Sequence, residues 1–444
     1  MKVNYQGLWS FSAALAGLLF GFDTVVISGA NLPIQMLWET SPWFHGFFIM
    51  SMALWGTVFG ALFGGWPCQK YGRKNTLIWI GVLYTLSALG SAFAPDPYSF
   101  SFFRFIGGLG VGASTVACPM YVAEISTSAN RGRLVALYQF NIVLGILLAY
   151  LSNFLLDGFD GVNDWRWMLG VEAIPALIYT FLVIPLPKSP RWLMVVKKDI
   201  KSAREVLLRF GDPNVEQTLS EMTLSDNVDN GTWKSVLTEY KKPMGLAFLI
   251  AFFNQFSGIN FVLYFAPQIF EIAGLATSDS LSGSIYIGLV NLVFTVLGVY
   301  LIDRLGRRTL IVIGSIGYIL SLGGIAISFY SQLSSVSLLL FIMMFIASHA
   351  VGQGAVIWVY IAEIFPNQLR SLGQSWGTGV HWVLAALITL VSPAVINAFS
   401  DMTWGIFSGF AIMMCFQLLF ALFWMPETKS KSLEQIMEMM RVKS

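Results

Sequence analysis

GWPCQKYGRK (65–74) returns, altered but in step, as VYLIDRLGRR (299–308). Each is a short basic turn that follows one long apolar run and precedes another. A second signature repeats in the same order, as YVAEISTSANRGR (121–133) and YIAEIFPNQLRSL (360–372). Arg73 is separated from Arg307 by nearly the same stretch that separates Glu124 from Glu363. Two unrelated signals at one offset mark an internal duplication, and six apolar spans plus six is the economical reading.

Composition says what solvent surrounds these spans. Of 444 residues, 56% are hydrophobic and only 11% charged, against about 25% charged in a soluble domain. Mean hydropathy is +0.69. The apolar residues fall in long runs rather than amphipathic stripes, which is the pattern of lipid-solvated helices. The runs cover 8–30, 44–66, 76–94, 98–122, 134–156, 167–186, 244–272, 282–302, 309–330, 336–361, 373–396 and 403–424. Each approaches or exceeds the roughly 20 residues that cross the hydrocarbon core, and backbone in lipid must satisfy itself internally. The expected fold class is an all-α integral membrane protein, with twelve transmembrane helices in two pseudo-symmetric six-helix bundles. The N-terminal bundle is expected over 1–187, a cytoplasmic helical linker over 188–243, the C-terminal bundle over 244–426 and a cytoplasmic tail over 427–444. Within the linker, 197–211 and 215–222 read as short helices and 232–237 as a further turn; 431–443 reads as a surface helix.

The loops set the orientation. With the N-terminus inside, the outer connections hold Glu39, Asp96, Asp157, Asp160, Asp164, Asp279 and Asp401. The inner ones hold Lys70, Arg73, Lys74, Arg131, Arg133, Arg304, Arg307, Arg308 and Arg370. This positive-inside bias puts both termini in the cytoplasm. A formal charge of +2 does not suggest a nucleic-acid partner, and Cys68, Cys118 and Cys415, in or beside apolar runs, give no disulfide framework. The one glycosylation sequon, Asn230–Thr232, falls in the cytoplasmic insert; with short outer loops this favours a prokaryotic inner membrane.

A duplicated membrane protein without a GxxxxGK[ST] phosphate loop reads as a secondary transporter rather than an ATP-driven pump or another enzyme. Nothing resembles a channel's selectivity filter. No catalytic residue and no metal site is expected, and no cofactor beyond a proton as coupling ion. The inner-side residues Arg73, Glu124, Arg131, Arg133, Arg304, Arg307, Glu363 and Arg370 form a candidate cytoplasmic gate network. Glu363 could pair with Arg131 or Arg133, and Glu124 with Arg370.

Polar residues inside the spans are few: Gln139, Asn141, Asn254, Gln255, Asn260, Asn291, His349, Gln353, Trp358, Gln374, His381 and Trp382. Amides donate and accept, and indole offers an apolar face with an N–H edge. That mixture suits a neutral polyhydroxylated ring better than an anion or a cationic drug. The histidines read as packing groups rather than proton relays. Asp23, within LAGLLFGFDTVVISG (15–29), is a carboxylate in an apolar span, where an unpaired charge is costly. Arg104 is its natural partner, and trading that arginine for a proton would couple protonation to a conformational change.

Over essentially its full length the chain resembles the sugar porters of the major facilitator superfamily. The motifs are GFD (21–23), RFIGGLGVG (104–112), YVAEI with RGR (121–133), PKSPRWL (187–193), QFSGIN (255–260), IDRLGRR (302–308), YIAEIFP with LR (360–370) and PETK (426–429). The resemblance implies alternating access of two bundles around a central monosaccharide site, in a protein expected to work as a monomer among membrane lipid. Gln139, Gln255, Asn260, Asn291, Trp358 and Trp382 match sugar-contacting positions, with Asn254 and His381 beside them and Phe20 as a further lining residue. Proton-coupled members carry the same Asp and Arg as Asp23 and Arg104. Several departures stand out: Asn254 replaces a Gln, Ala350 a Glu, Gln69 an Asp and Lys188 a Glu. The expected function is proton-coupled import of a hexose, D-glucose first. Uniport is the alternative, as is symport of xylose, fructose, galactose or inositol; a membrane sugar sensor is the non-transporter alternative.

Overall fold

The structure, a computed structural model, describes residues 5–126, 131–210, 214–225, 240–366, 369–431 and 433–440. Among the described residues eleven helices are long and apolar enough to cross a membrane, and the bent pair Pro42–Met50 and Met52–Phe63 supplies a twelfth span. Large apolar side chains such as Phe63, Trp79, Phe181, Leu340 and Phe423 lie more than half exposed along them. A water-soluble protein cannot present such a surface, whereas lipid solvates it. The chain is a multi-pass integral membrane protein.

By contacts the chain divides into two compact units. The first comprises Met1–Ala30, Met52–Ser152 and Gly158–Asp229. Its second and fourth spans, Met52–Phe63 and Pro97–Ile125, touch backbone to backbone. A methyl group on Gly108 would lie 1.9 Å from the Ala53 carbonyl oxygen, and one on Gly112 would lie 2.2 Å from that of Thr57. Lipid gives no hydrophobic drive between helices, so small residues that let backbones approach supply the packing instead. The fourth span begins at Pro97 behind an Asp96 cap, whose Oδ1 accepts from the amides of Tyr98 and Ser99. Beneath the spans, Pro190–Val195, Ile200–Phe210 and Val215–Ser225 close a small core of Trp192, Leu193, Ala203, Val206, Leu207 and Leu219. The expected turn at 232–237 and the sequon at Asn230 lie outside the described residues.

The second unit comprises Asn31–Ser51, Asn153–Asp157 and Asn230–Ser444. Two of its spans, read from sequence as single helices, are broken. The seventh is Lys241–Phe256 followed by Ile259–Ile272. Between them Gly258 takes φ +82°, a left-handed conformation that glycine adopts without steric cost. Ser257 Oγ donates to the Asn254 carbonyl at 2.6 Å, satisfying backbone that the break releases. The tenth span runs Ser335–His349, then a π-helical turn Ala350–Gly354, then Ala355–Glu363. Irregular turns of this kind concentrate at functional sites. At the C-terminus, Leu433–Met440 is helical.

Candidate functional site

The ionisable residues of the first unit converge. Asp23 (1% exposed) accepts from Arg104 (2%), Nη1 to Oδ1 at 2.5 Å, while Arg104 Nη2 donates to the Asp23 backbone carbonyl at 3.1 Å. Glu172, also 1% exposed, lies within electrostatic reach of Asp23 and Arg104, and its Oε1 has no hydrogen-bond partner among the described residues. Glu172 was visible in the sequence as a buried acid but carried no assigned role. The signal that pointed to Asp23, a lone carboxylate amid apolar residues, applied equally to VEAIPA (171–176). The cluster sets two acids against one guanidinium.

In the second unit the broken seventh span assembles an amide cluster. Gln255 Nε2 donates to Asn254 Oδ1 at 2.9 Å and to His381 Nδ1 at 3.1 Å, and Gln255 Oε1 accepts from Asn260 Nδ2 at 2.8 Å. The break at Gly258 is what lets Asn260 reach back to Gln255. His381 lies edge-on to two indoles, its ring centroid 4.9 Å from Trp358 and 4.8 Å from Trp382. Thus Asn254, Gln255, Asn260, Trp358, His381 and Trp382, scattered over three spans, form one polar and aromatic patch. Asn291 is buried on the eighth span, its Oδ1 3.5 Å from Thr295 Oγ1. Gln139 and Phe20 belong to the first unit and are half-buried. His349 Nδ1 is paired with Tyr318 Oη at 2.5 Å, a satisfied packing histidine. Gln353 donates to Gln417, and Gln417 to Ser315, both at 2.8 Å, tying three helices together.

The two charged signatures fold alike. Arg73 grips Glu124 through Nε and Nη2 at 3.2 and 2.8 Å and donates to the Cys68 carbonyl, while Ser189 Oγ donates to the other Glu124 oxygen at 2.5 Å. Arg307 grips Glu363 through Nε and Nη2 at 3.1 and 2.7 Å and donates to the Ile302 carbonyl, while Thr428 Oγ1 donates to Glu363 at 2.7 Å. The carboxylates therefore pair within their own unit. The physical reason is proximity: each arginine opens the helix beside the one its glutamate closes. The side chain of Arg131 lies outside the described residues. Arg133 is exposed, Arg370 is half-buried with its Nε unpaired, and Arg304 stacks on Tyr300 at 4.0 Å.

Residues 9–440 match the family model described as sugar (and other) transporter. The chain is 34% identical to a D-xylose transporter of Levilactobacillus brevis, covering 100% of this chain and 98% of that one. It is 33% identical to the galactose-proton symporter of Escherichia coli strain K12, covering 96% and 92%. Its fold superposes with TM-score 0.81 on the major facilitator superfamily proton:xylose symporter XylE bound to 6-bromo-6-deoxy-D-glucose, at 30% identity, over 99% of this chain and 100% of that one.

Proposed function

Because the chain belongs to the sugar (and other) transporter family, within the major facilitator superfamily, we propose that it imports a monosaccharide together with protons by alternating access. The observation that carries the coupling is the buried Asp23–Arg104–Glu172 cluster, two acids against one cation. Protonation of Asp23 weakens its hold on Arg104 and frees the helices that carry them to shift. Loss of the proton restores the pair. One proton thus crosses with each sugar, taken up outside and released inside, and no covalent chemistry takes place. The moving bodies are the two sequence repeats, 1–187 and 244–426.

The sugar is a hexose, D-glucose first. Gln255 is occupied at both ends by Asn254, His381 and Asn260. A ring of hydroxyls replaces those amide contacts one for one, with its C–H faces against Trp358 and Trp382, and Gln139, Asn291 and Phe20 complete the contacts. Relatives named for xylose and for galactose make the choice among sugars a matter of local geometry. We assign that choice to Asn254, whose side chain is one methylene shorter than glutamine. The protein works as a monomer in a prokaryotic inner membrane with both termini cytoplasmic.

Purified protein in vesicles tests both parts. Asp23→Asn abolishes sugar accumulation driven by an inside-alkaline gradient and keeps sugar counterflow. Gradient-driven accumulation at the wild-type level would reject coupling through Asp23 in favour of a structural pair in a uniporter. In competition against labelled glucose, Asn254→Gln reorders the ranking of xylose, galactose and glucose; an unchanged ranking removes Asn254 from the selectivity argument.

A further inference from the structure

Two buried serines of the third span have no part in the sites above. The helix Arg73–Ala92 places Tyr84, Ser87 and Ser91 at i, i+3 and i+7, on one face. All three are at most 1% exposed, and their hydroxyls have no hydrogen-bond partner among the described residues. A serine or threonine inside a helix ordinarily returns its hydroxyl to the carbonyl four residues back. Thr76 and Thr85 of this same helix do so, to Gly72 and Gly81 at 3.0 and 2.9 Å. Ser87 and Ser91 do not, which leaves both hydroxyls for a partner other than their own helix. The face they share meets the acid cluster. A methyl group on Gly107 of the fourth span would lie 2.3 Å from Ser87 Oγ and 3.5 Å from Asp23 Oδ1, so the glycine keeps open the space between them. Tyr84 lies within electrostatic reach of Asp23 and Glu172. Glu172, at the interruption between Asp164–Gly170 and Ala173–Val183, adds its unpartnered Oε1. Ser91 stands one residue from the end of the helix, where half-buried Arg166 donates to the carbonyls of Ala92 and Ala94 at 2.7 and 2.9 Å. All these residues belong to the first unit.

Buried polar groups need partners, and an internal water takes about two to four polar contacts of the kind these hydroxyls and the carboxylate oxygen offer. We propose that Ser91, Ser87 and Tyr84 hold a file of water that carries the coupling proton between the outer surface near Arg166 and the Asp23–Arg104–Glu172 cluster. Each water passes one proton forward and accepts one from behind. A single proton therefore leaves bulk water and arrives on a carboxylate, with no other net bond change. The two serines are positioning residues, which hold the water without titrating. The proposal deepens the carrier reading and rests on it, since that reading makes this end of the span the outer one.

X-ray radiolytic labelling of the full chain in lipid nanodiscs, together with sugar-driven proton influx in vesicles, tests it. A fully buried tyrosine is labelled only where water stands beside it. Tyr84 is expected to be labelled in the wild type, whereas Tyr318, equally buried but bonded to His349, is expected to stay unlabelled. Ser87→Ala with Ser91→Ala is expected to weaken the labelling of Tyr84. The same double variant is expected to slow proton influx, relative to sugar counterflow, by about tenfold, the upper range that one net hydrogen bond commands. Ser91→Ala alone slows it by a lesser factor and stands in where the double variant does not fold. Thr85→Ala, whose hydroxyl is spent on Gly81, is expected to change neither readout. An unlabelled Tyr84 in the folded wild type overturns the water file. So does a folded serine variant whose proton influx keeps the wild-type ratio to counterflow. A labelled Tyr84 without sugar-driven proton influx in the wild type overturns the coupled-carrier reading instead, since labelling does not depend on transport.

Discussion

A buried guanidinium neutralises one carboxylate, and Arg104 has two beside it. Glu172→Gln removes one acid and leaves Asp23 and Arg104 as a neutral pair that needs no proton. We expect gradient-driven accumulation to fall by about tenfold, the equivalent of ~1.4 kcal/mol of coupling, with counterflow within about twofold of wild type. Accumulation at the wild-type ratio would assign Glu172 to packing alone. At this scale the sequence exposed Asp23 and Arg104, because a charge in an apolar run announces its cost. The convergence of Glu172 on Asp23 and Arg104 was not readable. It depends on how the first, fourth and sixth spans face one another, and hydropathy carries no information on rotation about a helix axis. The same limit explains why Gln255 could be named but its partners His381 and Asn260 could not.

Elements are governed by how they end. The helix Arg307–Tyr330 is capped by a residue far away in sequence: Glu427 Oε1 accepts from the amides of Arg307, Thr428 and Lys429, and Oε2 from Arg308. Partial burial pushes the Glu427 carboxyl up, but these amides outweigh it and hold it below the usual glutamate range. A depressed folded value means the cap is fully in force above the unfolded value and is lost as pH falls through the folded one. Wild type should therefore melt higher than Glu427→Gln at neutral pH, and the gap should narrow below about pH 4. In the repeat, PKSP (187–190) aligns with PETK (426–429), so Lys188 stands where Glu427 does. An ammonium has no acceptor, so Lys188 cannot serve Arg73–Ala92 as a cap in the way Glu427 serves Arg307–Tyr330. Lys188→Glu is expected to raise the melting temperature by supplying one, a gain of ~0.5–2 kcal/mol; a lowered temperature would show that Lys188 serves another contact. Span positions were legible from hydropathy because length and lipid fix them. The loosening at Gly258 was legible from SGI (257–259), whereas the π-helical turn at Ala350–Gly354 was not, since a window long enough to detect a span averages across one irregular turn.

For the molecule as a whole, duplication was the most legible property, and it shapes the energetics. Arg73, Glu124 and Ser189 in the first unit match Arg307, Glu363 and Thr428 in the second, and Arg307 has Asp303 as a further partner at 3.1 Å. What the sequence did not disclose was that each set closes on itself. The candidate gate had allowed Glu124 or Glu363 to find an arginine of the other repeat, and the observed partners are local. Two self-contained clusters that share no partner should contribute independently to stability. Glu124→Gln and Glu363→Gln each leave a largely buried arginine short of its counter-charge, at a cost of ~1.5–3 kcal/mol. Their effects on unfolding free energy should then add within about 0.5 kcal/mol in the double variant. Transport supplies the contrasting measurement. If the clusters hold helices that must shift when the inner side opens, each single variant will speed counterflow, and the double variant will do so by the product of the two factors. Additive stability with unchanged counterflow would leave the clusters as braces within their units; a double variant no worse than either single one would mean that the two sets act as one device despite having no bond in common.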